Sequence, residues 1–373
     1  MAKTTKKKLR ASWLTVHKWI GLTLAILIIP ISVTGAALVW HDWLEARLEP
    51  QRHQSLGTAA LSPSAYVGAA KAALSAEERI ATIRFDGDKP VLVTAVQPAK
   101  GEGRPQRTNI WLDPRDGRVI DQASANSGAV QVMHVLHGSL MWPGWGRTVV
   151  GWGGLAMLVS SLSGLWLWWP LTGSFTSGFR WRRRNTLNAN LHYHAGFWIM
   201  VPLAVLSFTG AWISFPKVFG MFESRPAPNA QERAAAQRAR PLADPATSVN
   251  AAVRAGQAFA AGPLTLITWP TDKKGEWKIS FAREGGAAEV TVADNSGVAT
   301  KPKPPQPETL ARTMRRLHDG TGMGPVWQTI IFLGGIIPAL LSITGIIIWW
   351  RSRKPRAKAA DYRKNGGTLQ PAE

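Results

Sequence analysis

Four stretches of this chain carry too little charge over too great a length to behave as ordinary soluble segments. They lie near 13–40, 147–170, 193–215 and 325–350, and each reaches the roughly 18 to 20 apolar residues that cross the hydrocarbon core of a bilayer. That environment restricts the backbone severely. Every N–H and C=O inside it needs an internal partner, so a span of this length is a helix. The first run is too long for a removable signal and lacks its small-residue cleavage pattern, so it is expected to be retained. The expectation is a polytopic membrane protein.

The runs are related in pairs. HKWIGLTLAILIIPISVTG (17–35) and HYHAGFWIMVPLAVLSFTG (192–210) align without a gap at an offset of 175. The alignment matches His17 with His192, Gly21 with Gly196, and Thr34-Gly35 with Thr209-Gly210. The stretches from His137 to Trp169 and from His318 to Trp350 align in the same way at an offset of 181. They match His137 with His318, Gly153-Gly154 with Gly334-Gly335, and Gly164 with Gly345. The chain thus reads as two duplicated halves, each span, intervening segment, span. Equal orientation of the halves implies a pseudo-two-fold axis along the membrane normal.

The formal charge is +21, from 44 basic and 23 acidic residues. In a soluble chain such a balance suggests nucleic acid. Here the basic clusters MAKTTKKKLR, FRWRRRN and RSRKPRAK flank the spans, which is the positive-inside signal; no nucleic-acid partner is expected, and anionic membrane lipid is. The flanks predict a basic cytoplasmic N-terminus (1–12), a first span (13–43), an external domain (44–130) and a second span with its outer-edge segment (131–170). A basic cytoplasmic loop (171–191), a third span (192–215), a second external domain (216–310), a fourth span with its outer-edge segment (311–350) and a cytoplasmic tail (351–373) complete the order. In a Gram-negative cell this is the inner membrane, with two periplasmic domains. The 19 tryptophans crowd the span ends, where interfacial anchoring explains them.

Each external segment reads as one helix followed by a small antiparallel sheet. LSPSAYVGAAKAAL carries Ser62 at an N-cap position. The strands IATIRFDG, PVLVTAVQP and RTNIWLDPRDGRVI follow, the last folded at Asp113-Pro114-Arg115-Asp116-Gly117. In the second half TSVNAAVRAGQAF precedes LTLITWP, GEWKISFA and AAEVTVADNSGVAT, which turns at Asp294-Asn295-Ser296-Gly297. Segments this short need support from the other copy or from the spans. Residues 224–247 and 301–307 read as linkers.

The combination of HKWIG and HYHAG at span starts, SVTG and SFTG at span ends, and the WLDPRDGRVI and VTVADNSGV strands resembles the PepSY-associated transmembrane helix family over nearly the whole chain. The resemblance implies an inner-membrane protein tied to iron acquisition. The type it looks like is the di-haem ferric-siderophore reductase, of which the ferrioxamine reductase is one example.

The eight histidines are His17, His41, His53, His134, His137, His192, His194 and His318. A membrane b-type haem needs two axial imidazoles from facing helices at one depth. The topology supplies two such pairs: His17 with His192 at the cytoplasmic edge, and His137 with His318 at the outer edge. His17 and Gly35 are five helical turns apart and share a face, with Gly21 one turn along, so a glycine stripe is expected beneath the inner pair. His194 lies about 200° round the helix from His192 and aligns with Trp19; His134 aligns with Arg315, and His41 with Pro216. These three stand as alternate ligands. Arg147 and Arg315 are candidate propionate contacts, and glycines and prolines between His137 or His318 and the following span suggest a helix break there.

Other chemistry is missing from the sequence. There is no cysteine, which excludes cysteine-ligated iron–sulfur clusters, thiolate copper sites and covalently attached c-type haem. No Walker A, GxGxxG, serine elbow or HExxH pattern is present. No catalytic side chain is assigned. The leading expectation is an oxidoreductase with two b-type haems. It takes electrons from membrane quinol or a cytoplasmic reductase and reduces a ferric siderophore outside. A siderophore or ion transporter, or a non-enzymatic regulatory protein, is the alternative.

Overall fold

The computed structural model describes residues 2–97, 105–172, 186–223, 238–284, 286–302 and 308–364. The elements run α1 (Ala2–Val39), α2 (His41–Leu48), α3 (Pro63–Ala73), β1 (Arg79–Arg84), β2 (Val91–Gln97), β3 (Gln106–Leu112) and β4 (Val119–Ser124). Then follow α4 (Ala129–Ser139), α5 (Gly146–Thr172), α6 (Leu187–Ser214), α7 (Pro216–Phe219) and α8 (Val249–Gln257). The chain closes with β5 (Leu264–Thr268), β6 (Glu276–Arg283), β7 (Gly286–Ala293), β8 (Ala299–Thr300), α9 (Leu310–Asp319) and α10 (Gly324–Lys364). The residues divide into two compact units, a helical one (1–41, 132–226, 308–373) and a sheet one (42–131, 227–307).

Among the described residues of the helical unit, four helices are long and apolar enough to cross a membrane: Lys7–Val39, Gly146–Trp168, Leu187–Ser214 and Gly324–Arg353. They form a ring in which α1 packs on α5 and α10, and α6 packs on the same two. Small residues set the closest crossings. A Cβ on Gly335 of α10 would lie 2.6 Å from the Ser32 carbonyl oxygen of α1, and one on Gly154 of α5 would lie 3.1 Å from that of Ser207 on α6. Helices in lipid gain by such approaches because dispersion replaces the missing hydrophobic drive. The third span begins at Leu187, capped by the Thr186 hydroxyl, which accepts from the Ala189 amide. The basic loop between α5 and α6 lies mostly outside the described residues.

The second and fourth spans are each preceded by a short separate helix, α4 and α9, as the glycines and prolines predict. Gly320 ends α9 in the left-handed conformation, with φ of 78°, a C-terminal cap that glycine adopts without a Cβ clash. The break between α4 and α5 instead holds Leu140 and Met141 at φ of 52° and 55°.

In the sheet unit, the two segments read separately from sequence share one eight-stranded antiparallel sheet, ordered β4-β3-β2-β1-β5-β6-β7-β8. The join is β1 on β5, with Thr82 opposite Thr268, Ile83 opposite Ile267 and Arg84 opposite Leu266. A four-stranded sheet of either segment alone would leave β1 or β5 as an open edge, and pairing the two satisfies both sets of backbone groups. α3 and α8 contribute Tyr66, Ala70, Val249, Ala252 and Val253 to a core with Ile83, Val93, Ile110, Ile267, Trp277 and Phe281. Ser62 does precede α3, but its hydroxyl meets that of Ser64 and makes no cap bond; Pro63 opens the helix. Both predicted turns form, with Gly117 and Gly297 at φ of 76° and 67°. Of the predicted linkers, 224–237 and 303–307 lie outside the described residues.

Candidate functional site

Each span contains one hydroxyl–glycine dipeptide: Thr34-Gly35 in α1, Ser163-Gly164 in α5, Thr209-Gly210 in α6 and Thr344-Gly345 in α10. Each glycine seats one histidine from another helix. A Cβ on Gly35 would lie 2.6 Å from His137 Cε1, one on Gly164 3.3 Å from His17 Cε1, one on Gly210 3.0 Å from His318 Cε1, and one on Gly345 3.4 Å from His192 Cε1. Side chains on a helix lean toward its N-terminus. A glycine therefore uncovers the carbonyl one turn before it, and that carbonyl is what the imidazole meets.

The pattern is the same in all four cases. His17 Nδ1 is 3.1 Å from the Ser160 carbonyl oxygen, His137 Nδ1 is 2.8 Å from that of Ile31, His192 Nδ1 is 3.1 Å from that of Leu341, and His318 Nδ1 is 3.1 Å from that of Leu206. Each acceptor is four residues before its glycine. The hydroxyls that precede the glycines join in at three of the four: Ser163 at 3.0 Å from His17 Nδ1, Thr344 at 3.1 Å from His192 Nδ1 and Thr209 at 3.1 Å from His318 Nδ1. These hydroxyls donate to carbonyls of their own helices, which leaves their lone pairs to accept.

A carbonyl oxygen only accepts, so Nδ1 carries the proton in every case. Nε2 then carries the lone pair. Such a second hydrogen bond is how metal-ligating histidines are held in one tautomer and orientation. The four rings come together as two pairs. His17 and His192 have centroids 6.5 Å apart with planes at 83°; His137 and His318 have centroids 6.0 Å apart with planes at 44°. Two imidazoles on opposite sides of one iron, each with a metal–nitrogen bond of about 2 Å, have centroids about 6 Å apart. The residues fit bis-imidazole ligation of a b-type haem at both places.

The glycine stripe works differently from the expectation for the inner pair. Gly35 and Gly210 seat His137 and His318, not His17 and His192, and a Cβ on Gly21 would meet nothing within 4 Å. The periodicity of one helix shows which residues share a face, but not which neighbour covers them. Sequence reading also missed Ser163 and Thr344 as partners. Their signal was present, since both immediately precede a glycine already matched at offset 181.

The alternates separate from these pairs. His194 is buried on α6 beside Tyr193, with ring centroids 5.3 Å apart. His41 and His134 face each other, at 6.1 Å and 74°. Arg147 donates to the Ile213 carbonyl, and Arg315 is exposed on α9, one turn before His318. Several tryptophans at the span ends pack on aromatic rings: Trp168 stacks on Phe197 at 4.1 Å, and Trp212 on Phe219 at 4.5 Å.

Residues 14–352 match a known family, the PepSY-associated TM region. No curated protein matches the chain.

Proposed function

We propose the following function for a chain that belongs to the PepSY-associated TM region family and is a multi-pass membrane protein: it carries two b-type haems and passes electrons across the membrane to a ferric chelate. One observation carries this reading. Four histidines, each seated on a glycine and each with Nδ1 held by a carbonyl, face each other in two pairs at 6.5 and 6.0 Å.

His17 and the glycine that seats His137 are 18 residues apart on α1, about 27 Å along the helix axis. That is close to the roughly 30 Å thickness of the hydrocarbon core, so the pairs lie near opposite faces. Bound haem would supply one-electron chemistry at each face. The protein's part is to fix the ring planes, keep each Nε2 unprotonated through the carbonyl on Nδ1, and keep water from the imidazoles. The matching contacts in the two halves, His17 on Gly164 with His192 on Gly345 and His137 on Gly35 with His318 on Gly210, favour two duplicated halves about an axis along the membrane normal. The basic flanks favour an inner membrane with both termini cytoplasmic and the sheet unit periplasmic.

The terminal substrate is a ferric siderophore. Hydroxamate and catecholate oxygens are hard donors that hold ferric iron far more tightly than ferrous, so one electron loosens the chelate and lets the metal leave. Membrane quinol or a cytoplasmic reductase supplies the electrons. The test is optical. Purified protein should be red, carry two haems by pyridine haemochrome assay and shift its Soret band on reduction; the reduced protein should then lose that shift on addition of a ferric hydroxamate, with ferrous iron trapped by ferrozine. A colourless yet intact preparation would end the haem reading, and a red protein that leaves the chelate ferric would end the substrate reading.

A further inference from the structure

We infer that His41 and His134 form a binding site for a first-row divalent metal ion, separate from the four glycine-seated histidines. His41 opens α2, directly after the turn at Trp40, and His134 sits on α4 one turn before His137. Their ring centroids are 6.1 Å apart, within reach of one ion with metal–nitrogen bonds of about 2 Å. His41 Nδ1 is 2.9 Å from the Leu38 carbonyl oxygen. It therefore carries the proton and turns Nε2 into the donor atom, as in the deep pairs.

The surroundings differ from those of the deep pairs in a way that decides the ligand. None of the glycines on the spans seats either ring. His134 is exposed and His41 only partly buried. A hydrated ion suits this mouth better than a macrocycle. Nor is the pair a by-product of the internal sequence repeat, because the matching positions hold Pro216 and Arg315. Two neutral imidazoles with water completing the shell favour copper, nickel, cobalt, zinc or ferrous ions over magnesium or calcium. Two protein ligands make an exchangeable site, suited to passage rather than storage. Metal binding rests on these two rings alone. Only its role, receiving the ferrous ion that leaves the reduced chelate, rests on the proposed function.

The experiment titrates cupric ion into purified full-length protein carrying no polyhistidine tag, followed by electron paramagnetic resonance. One equivalent should bind with coupling to two imidazole nitrogens. His41→Ala and His134→Ala should each weaken it at least tenfold, and His134→Gln should do the same with less risk to folding; His53→Ala should leave it unchanged. Pyridine haemochrome content should be unaltered in all four variants. Absence of a stoichiometric site, or wild-type affinity in the His41 and His134 variants, overturns the proposal. So does loss of a haem in either, which would make these residues haem ligands.

Discussion

Gly35 lies directly beneath the imidazole of His137, so closely that a Cβ there would stand 2.6 Å from Cε1. A methyl group at 35 forces the ring outward and breaks its contact with the Ile31 carbonyl. Gly35→Ala should therefore cost about half the bound haem, although alanine favours the helix itself by about 1 kcal/mol. Gly210→Ala, with 3.0 Å to His318 Cε1, should act in the same direction and more mildly. Haem-to-protein ratio and thermal stability, measured together, separate the site effect from the helix effect. Full haem in Gly35→Ala would show that the glycine does not seat a ligand.

His17→Ala and His318→Ala strike different pairs. Each should remove about half the haem, and the double variant nearly all. The hydroxyls act more gently. Ser163→Ala and Thr344→Val keep the carbonyl contacts on His17 and His192 but remove one acceptor from each Nδ1–H. The imidazole then donates less electron density, so the haem should stay bound with a more positive midpoint potential. Redox titration of the two variants checks the sign.

Asp113 and Asp294 close equivalent turns of the sheet unit but are satisfied differently. The buried Asp113 carboxylate accepts from the backbone and guanidinium of Arg115, which hold its pKa down at about 2. A carboxylate depressed below its ordinary value of about 3.9 stabilises the fold at all pH values above that range, and the contribution fades as pH falls toward 2. The gap in melting temperature between wild type and Asp113→Asn should be constant at neutral pH and shrink between about pH 4 and 2. Asp294 instead accepts from the indole of Trp277 and the amides of Ala246 and Thr247. Asp294→Ala orphans the buried indole N–H of Trp277 and should destabilise the sheet unit by about 2 kcal/mol.

Ile83 and Ile267 are fully buried and face each other across the strand pair that joins the two segments. Either isoleucine-to-alanine change should cost about 3 kcal/mol. Their effects should fall short of additive by about 1 kcal/mol, because each removes the other's partner. Denaturant unfolding of the full chain, followed by hydrogen exchange of the β1 and β5 amides, measures all four corners of the cycle. Strict additivity would mean that the shared sheet contributes nothing through this junction.

The spans were legible because lipid demands uninterrupted apolar length, and the histidine pairs because two gapless alignments put His17 with His192 and His137 with His318. Gly35 was legible as special but not for whom, since nothing local tells α1 that α4 will cover it. The same limit hid the β1–β5 pairing. Ile83 and Ile267 are 184 residues apart, and a strand carries no mark naming its distant neighbour; its alternation reveals only which face is buried. The carbonyls of Ser160, Ile31, Leu206 and Leu341 were invisible because any residue type presents the same backbone oxygen, and only the absent Cβ four residues later singles them out.

The orientation of the chain in the membrane is open to an inexpensive check, because it contains no cysteine. Any introduced thiol is then the sole target for a maleimide. Lysine and arginine flanks resist translocation, so Lys8 is expected on the cytoplasmic side, whereas Ser127 and Ser296 are exposed on the sheet unit. In intact spheroplasts an impermeant maleimide should label Ser127→Cys and Ser296→Cys within minutes and leave Lys8→Cys unlabelled until the membrane is opened. Labelling of Lys8→Cys in sealed cells would invert the topology. The His137–His318 pair would then face the cytoplasm, and electrons could no longer run outward from His17 and His192.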